Sequence, residues 1–238
     1  MDFSEKNILV AGGSSGIGLS LVNHLAAKGA VVYNLSRHES AAWNPGVKHL
    51  AFDVLEDLSL LGSQLPDKIH GLVYSVGSIN LKPFNRISEE DMINDYRLNV
   101  TGALKVIQQA LKSLKNAGGA SIILISSVAA QTGMAYHASI AAAKSGVEGF
   151  AISLAAELAA QNIRVNVVAP SLTDTPLAQN LLNTPEKQAA SAKRHPLGRV
   201  GTPNDIAHAI IYLLSDDASW ITGQVLGING GLGNLKTA

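Results

Sequence analysis

A single doubly wound α/β domain, a mostly parallel seven-stranded sheet with helices on both faces, follows from three features of the chain. Short apolar runs alternate with longer stretches of helical period along the whole length. The runs are apolar throughout rather than at every second position, as in strands buried on both faces of a parallel sheet. The first run leads through a glycine-rich turn into an apolar helical pattern. No internal repeat, linker or low-complexity block divides residues 1–238.

Asn7–Ala11 is the first strand. Gly12-Gly13-Ser14-Ser15-Gly16-Ile17-Gly18 follows, and Leu19, Val22, Leu25 and Ala26 carry the helical pattern onward. In that setting glycines let the backbone approach a pyrophosphate, and the helix N-terminus offers free N–H groups and a positive dipole end. Gly12, Ser14, Ser15, Gly16, Ile17 and Gly18 are therefore candidate phosphate contacts. The spacing is G-x-x-x-G-x-G, not the G-x-G-x-x-G of the usual dinucleotide fingerprint. The second strand, Ala30–Leu35, runs into Ser36-Arg37. No carboxylate stands there to bind a ribose 2′-hydroxyl, and a guanidinium is present to pair with a phosphate, so NADP is favoured over NAD. Lys48–Phe52 is a third strand, followed by Asp53-Val54, and Ile69–Val76 is a fourth, ending at Gly77.

Ser88 caps a helix whose first turn holds Glu89, Glu90 and Asp91, where carboxylates suit the dipole. The helical pattern runs to about Asn116, but Asn99, Thr101 and Gly102 are poor helix formers and predict a kink that presents Asn99. Ala120–Ile125 is a fifth strand, ending in two hydroxyls, Ser126 and Ser127, at the strand end where open sheets bind ligands. A helix rich in alanine and glycine spans roughly Tyr136 to Ala160. Ile163–Ala169 is the sixth strand, stopped by Pro170. Ser171–Gly201 holds Pro176, Pro185, Pro196, Gly198 and Gly201, the composition of a substrate loop, with one or two short helices within Pro176–Lys193. Thr202 caps a helix from Pro203 to Leu214, Gln224–Ile228 is the last strand, and a loose tail follows.

Composition narrows the partners. Lys plus Arg and Asp plus Glu are 18 each, without a basic run, so nucleic acid and anionic membranes have no electrostatic claim on the chain. There is no cysteine, which excludes disulfides and thiolate metal sites and suits a reducing, cytoplasmic setting. The N-terminus lacks the pattern of a signal peptide, no apolar run is long enough to span a membrane, and no metal site is expected.

Taken in order, these motifs resemble the short-chain dehydrogenase/reductase family, particularly its β-ketoacyl-carrier-protein reductase type. The likeness covers essentially the whole chain and implies a Rossmann-type fold. AGGSSGIG resembles the family's T-G-x-x-x-G-x-G loop, with Ala11 for threonine. Asp53-Val54 matches the pair that holds adenine. RVNVVAPSLTDTP matches the stretch after the sixth strand, with Pro170 at the cofactor, Ser171 for the usual glycine, and Thr175 at the nicotinamide amide. Asn99, Ser127 and Lys144 match three members of the family's catalytic tetrad. The resemblance also implies a small-molecule substrate and a homo-oligomer, tetramer or dimer.

Two further motifs depart from the pattern. The family's N-N-A-G reads Tyr74-Ser75-Val76-Gly77, which retains only Gly77. Its Y-x-x-x-K reads Ile140-Ala141-Ala142-Ala143-Lys144. In the family that tyrosine gives a proton to the developing alkoxide, the lysine lowers the tyrosine's pKa and binds the nicotinamide ribose, the serine binds the carbonyl oxygen, and the asparagine holds a relaying water. An isoleucine cannot donate a proton, and losing a general acid forfeits about 10²–10⁴-fold in rate. Three readings follow. In one, another group donates: Tyr136, which shares a face with Ile140 and Lys144 if the helix begins early enough, or His137. In another, the reaction is hydride addition to an activated C=C, whose enolate needs oxyanion stabilisation first. In the third, the protein binds NADPH as a sensor or partner subunit without turnover.

Overall fold

The computed structural model describes residues 1–235. Its sheet has seven strands: β1 (Asn7–Ala11), β2 (Val31–Ser36), β3 (Lys48–Ala51), β4 (Gly71–Tyr74), β5 (Ala120–Ile125), β6 (Ile163–Pro170) and β7 (Val225–Ile228). Their spatial order is β3-β2-β1-β4-β5-β6-β7, and every neighbouring pair is parallel. Chain order therefore reverses between β1 and β4, and the C-terminal ends of those strands frame a crevice, where open α/β sheets take ligands.

Both faces are covered, which explains the unbroken apolar strands. Leu9, Leu72, Leu124 and Val167 point to one face, against Val106 and Ala110 of helix α4 (Gly102–Asn116) and Val147 and Ala151 of α5 (Ala138–Leu158). Ile8, Val10, Val73 and Ile123 point to the other, against Leu21 and Leu25 of α1 (Gly16–Ala27) and Ile206 and Ile210 of α8 (Pro203–Leu214). The split between neighbouring positions is the two-residue period of a strand.

The remaining helices are α2 (Leu61–Gln64), α3 (Glu89–Tyr96), α6 (Gln179–Leu182) and α7 (Pro185–Arg194). Ser88 and Thr202 each close a capping box, with Asp91 and Asp205 as the reciprocal partners. α2 is a single turn with no amphipathic period, and its sequence gives no sign of it. β4 is shorter than its apolar run because Ile69 turns aside, its N–H bonding the Ser113 carbonyl. Ser171–Gly201 holds two short helices, α6 and α7, and is tied at its ends by a bridge between Thr173 and Gly201. The expected loose tail forms turns as far as Asn234; Lys236–Ala238 lie outside the described residues.

Two local features decide the site. Between α3 and α4, Arg97–Thr101 form one π-helical turn, closed by the Gly102 N–H on the Arg97 carbonyl. The Asn99 side chain causes it: Nδ2 donates to the Asp95 carbonyl at 2.8 Å, which diverts that acceptor from its usual amide. The turn frees the Leu98 carbonyl, which accepts from the Tyr74 hydroxyl at 2.6 Å. The second feature corrects the expected start of α5. Tyr136 has φ +68 and His137 is the N-cap, so the helix begins at Ala138 and Tyr136 is outside it. The condition for Tyr136 to share a helix face with Ile140 and Lys144 is not met.

Candidate active site

A cavity of about 750 Å³ runs along the C-terminal strand ends. Its floor at one end is the glycine turn after β1. Gly12 has φ +90, a conformation only glycine takes without strain, and an added Cβ would press on the Ser75 backbone at 3.0 Å. Gly18 packs against the Gly12 carbonyl, so the first turn of α1 lies hard against the strand end. Ser15, the N-cap of α1, makes no side-chain capping bond, and the first turn holds no acidic residue. Those amides are thus unspent toward an anion. The positions read as dinucleotide contacts, Gly12 through Gly18 with Gly13 apart, Ser36, Arg37, Asp53, Val54, Gly77, Lys144, Pro170 and Thr175, all line this one cavity. Ser36 is already engaged, donating to the His38 carbonyl at 2.8 Å and accepting from Asn34 at 2.9 Å. Arg37 and His38 are the polar side chains left at the β2 end of the cavity.

At the other end lie Ser127, Ile140 and Lys144. Ser127 heads a short 3₁₀ turn after β5, its Oγ accepting from the Ala129 N–H at 3.2 Å. Lys144 is 7% exposed and donates to the Ile125 carbonyl at 2.8 Å. Burial pulls its ammonium down to about 8, opposed in part by the negative charge of Asp95. Ile140 is 6% exposed, one turn ahead of Lys144, and presents hydrocarbon to the cavity. Asn99 does not line the cavity; its Oδ1 is buried without a hydrogen-bond partner, behind Gly77. A Cβ added to Gly77 would lie 3.2 Å from that oxygen and 3.4 Å from Lys144 Nζ, so this glycine leaves the asparagine and the lysine facing one gap.

The two donor candidates separate. Tyr136 is 60% exposed and lines a second, shallower pocket with Phe84 and Thr132, not the main cavity. His137 lines both. Its Nδ1 lies 2.7 Å from the Ala135 carbonyl, which only accepts, so Nδ1 carries a hydrogen. Tyr74, where the family motif begins with asparagine, is no proton source: burial pushes its phenol well above the ordinary range, and its proton is committed to Leu98.

Two groups escaped the sequence reading. Asp95 is a buried carboxylate that accepts from Ser139 at 2.6 Å, Ser78 at 2.9 Å and Asn80 at 3.3 Å, joining the start of α5 to the loop after β4. An aspartate on a helix looks like one more solvated charge, and nothing in the spacing distinguishes it. The other is His195, 4% exposed, at the end of α7, bonded to Ser171 at 2.8 Å. Its signal was a histidine next to Pro196 in an irregular segment, paired with a serine where the resemblance calls for glycine.

A family model described as "Enoyl-(Acyl carrier protein) reductase" matches residues 11–233. The chain belongs to the short-chain dehydrogenase/reductase family. Among its relatives, the 3-oxoacyl-acyl-carrier-protein reductase FabG of Vibrio cholerae is 32% identical over 98% of this chain and 99% of its own length. A tropinone reductase homolog of Arabidopsis thaliana is 33% identical over 95% of this chain and 92% of its own. Among solved structures, a short-chain type dehydrogenase/reductase from Mycobacterium ulcerans superposes with a TM-score of 0.89 at 29% identity, covering 98% of this chain and 91% of that one. A variant of ElxO with NADPH bound gives 0.87 at 25% identity, covering 95% and 98%. These relatives make the chain an oxidoreductase of the reductase and dehydrogenase type, in a family that uses NAD(P)H. No helix among the described residues is long and apolar enough to cross a membrane, and no cluster of His, Asp or Glu among them could hold a metal.

Proposed function

We propose that this protein is an NADP(H)-dependent oxidoreductase that reduces a carbonyl or activated C=C of a small organic substrate. The observation that carries it is the continuity of one cavity from the glycine turn and Arg37 to Ser127 and Lys144. When bound, the dinucleotide supplies hydride at its nicotinamide ring. The chain's own residues do the rest. The amides of the α1 N-terminus and the turn around Gly12 hold the pyrophosphate, Arg37 faces the adenosine 2′-phosphate, and Asp53 and Val54 flank the adenine. Lys144, a cation at neutral pH, holds the nicotinamide ribose. Ser127 orients the substrate oxygen, and Ser171–Gly201 shapes the substrate pocket. The family's habit and the exposed apolar side chains Met92, Ile93 and Tyr96 of α3, Leu104 of α4 and Ile152 of α5 support a homo-oligomer, dimer or tetramer.

Fluorescence titration tests the cofactor: NADPH binds more tightly than NADH, and equal affinities refute the preference. NADPH consumption with ketoester, ketone and enone substrates tests the chemistry. A second reading is favoured by Ile140 itself, whose hydrocarbon faces the cavity where the family has a proton donor. If the protein is an NADPH sensor or a partner subunit, no substrate consumes NADPH while the cofactor still binds.

A further inference from the structure

We propose that Ser171 and His195 are the proton-exchanging couple of this cavity, Ser171 meeting the substrate oxygen and His195 acting through it. The proposal rests on the reductase reading and supplies the acid that Ile140 lacks. Ser171 follows the end of β6, beside β5, whose end carries Ser127. Val168 lies opposite Ile125, and the Ser126 N–H bonds the Val168 carbonyl at 2.8 Å, so the two chains leave the sheet side by side. Ser127, Ile140, Lys144, Ser171 and His195 line the same cavity.

His195 is held in one orientation. Its Nδ1 lies 2.8 Å from the Ser191 carbonyl and its Nε2 lies 2.8 Å from Ser171 Oγ. Gly230 closes over the ring: a Cβ there would sit 3.4 Å from Cδ2. A carbonyl only accepts, so Nδ1 carries the hydrogen, and Nε2 of the neutral ring must accept from the Ser171 hydroxyl. Hydroxyl, base and the group that orients the base are the three parts of an activated serine.

The proton balance runs both ways. In alcohol oxidation the substrate O–H bond breaks and its proton passes to Ser171 Oγ, as Ser171's own proton passes to His195 Nε2. The carbinol C–H bond breaks with its electron pair, and that hydride goes to an oxidised nicotinamide dinucleotide. In reduction the imidazolium returns its Nε2 proton to Ser171 Oγ, and the serine hydroxyl protonates the developing alkoxide. Ser171 is the catalytic residue of the couple, and His195 is a positioning residue and proton reservoir.

The test uses the full chain with Ser171→Gly, Ser171→Ala and His195→Gln. With NADPH and a panel of ethyl acetoacetate, cyclohexanone and 2-cyclohexenone, each variant should lose about 10²–10⁴-fold in kcat. KM and NADPH affinity should stay within about threefold, the pattern of a group used only in the transition state. A proton inventory in mixed H₂O and D₂O should report two protons in flight for the wild type, which a purely structural histidine would not produce. Without cofactor, ¹⁵N NMR should show His195 protonated at Nδ1, with the Nε2 resonance moving in Ser171→Gly. Variants that turn over at the wild-type rate, or a ring protonated at Nε2 alone, overturn the couple and leave the reductase reading intact. A wild type that binds NADPH but consumes none across the panel overturns both.

Discussion

Replacing Lys144 with methionine separates the electrostatics of the site from its packing. The lysine is buried, and burial moves it from 10.5 to about 8. At 1.36 kcal/mol per unit, the buried ammonium costs the folded state about 3 kcal/mol at neutral pH. The sign follows from proton counting. Between the folded and unfolded values the unfolded chain holds the proton and the folded chain does not, so stability rises with pH across that window. From pH 7 to pH 9.5 the wild type should gain about 2 kcal/mol from this residue alone. Lys144→Met keeps the length of the side chain, removes the charge, and leaves the Ile125 carbonyl unpaired, a loss of about 1–3 kcal/mol. The variant should therefore be close to the wild type in stability at pH 7 and should miss the alkaline gain. Urea denaturation of both cofactor-free proteins at the two pH values measures the difference. Parallel stability curves would refute a desolvated ammonium at this position and, with it, the reading of Lys144 as a cation held ready for a ribose.

Arg37→Glu should narrow the preference for NADPH over NADH, since a carboxylate repels a 2′-phosphate and accepts from a 2′-hydroxyl; an unchanged ratio in fluorescence titration would remove Arg37 from the cofactor site. Ile140→Tyr puts a phenol one turn from Lys144 and should raise ketoester reduction measured by NADPH absorbance; an unaltered rate means that proton supply does not limit turnover. Gly102→Ala forces a methyl group into the Tyr74 hydroxyl and should destabilise by about 1–3 kcal/mol in urea. Tyr74→Phe in the same chain should recover part of that loss, and strict additivity would show that the clash is absent.

The sheet was legible because burial on two faces leaves a mark in the sequence. Ile8 and Leu9 are both apolar because each reaches a different core, and the same holds for every central strand. Caps were legible for a similar reason: Ser88 and Thr202 must satisfy orphan amides, and few residue types do so. The kink at Asn99 was visible in composition, but not its form. A π turn needs the Asp95 carbonyl to be taken by the asparagine, a contact four residues away that propensity does not encode. Tyr136 misled because helix starts are set by φ at one residue. A helical spacing of four counted back from Ile140 assumes a turn that the left-handed backbone at Tyr136 removes.

Side chains that act through long-range partners were the least legible, and they share one physical feature. Tyr74 and Asp95 are buried and Ser171 is half-buried, each with a partner that exists only in the folded chain: the Leu98 carbonyl for Tyr74, the trio of Ser78, Asn80 and Ser139 for Asp95, and His195 for Ser171. A buried polar group without such a partner is penalised by about 1–3 kcal/mol, so neither Tyr74 nor Asp95 is neutral with respect to its neighbours. Tyr74 fits only because Gly102 has no side chain and the π turn exposes a carbonyl. His195 fits only because Ser191 and Ser171 answer its two nitrogens. Two of these three lie where the chain departs from its family's motifs, and each departure brings its own acceptor or donor. Ile140, a departure of the opposite kind, is apolar and needs none. The cavity presents hydrocarbon at Ile140 on α5 and a hydroxyl at Ser171, just past the end of β6, bonded to a buried imidazole, and the couple proposed for Ser171 and His195 places the exchangeable proton there rather than on α5.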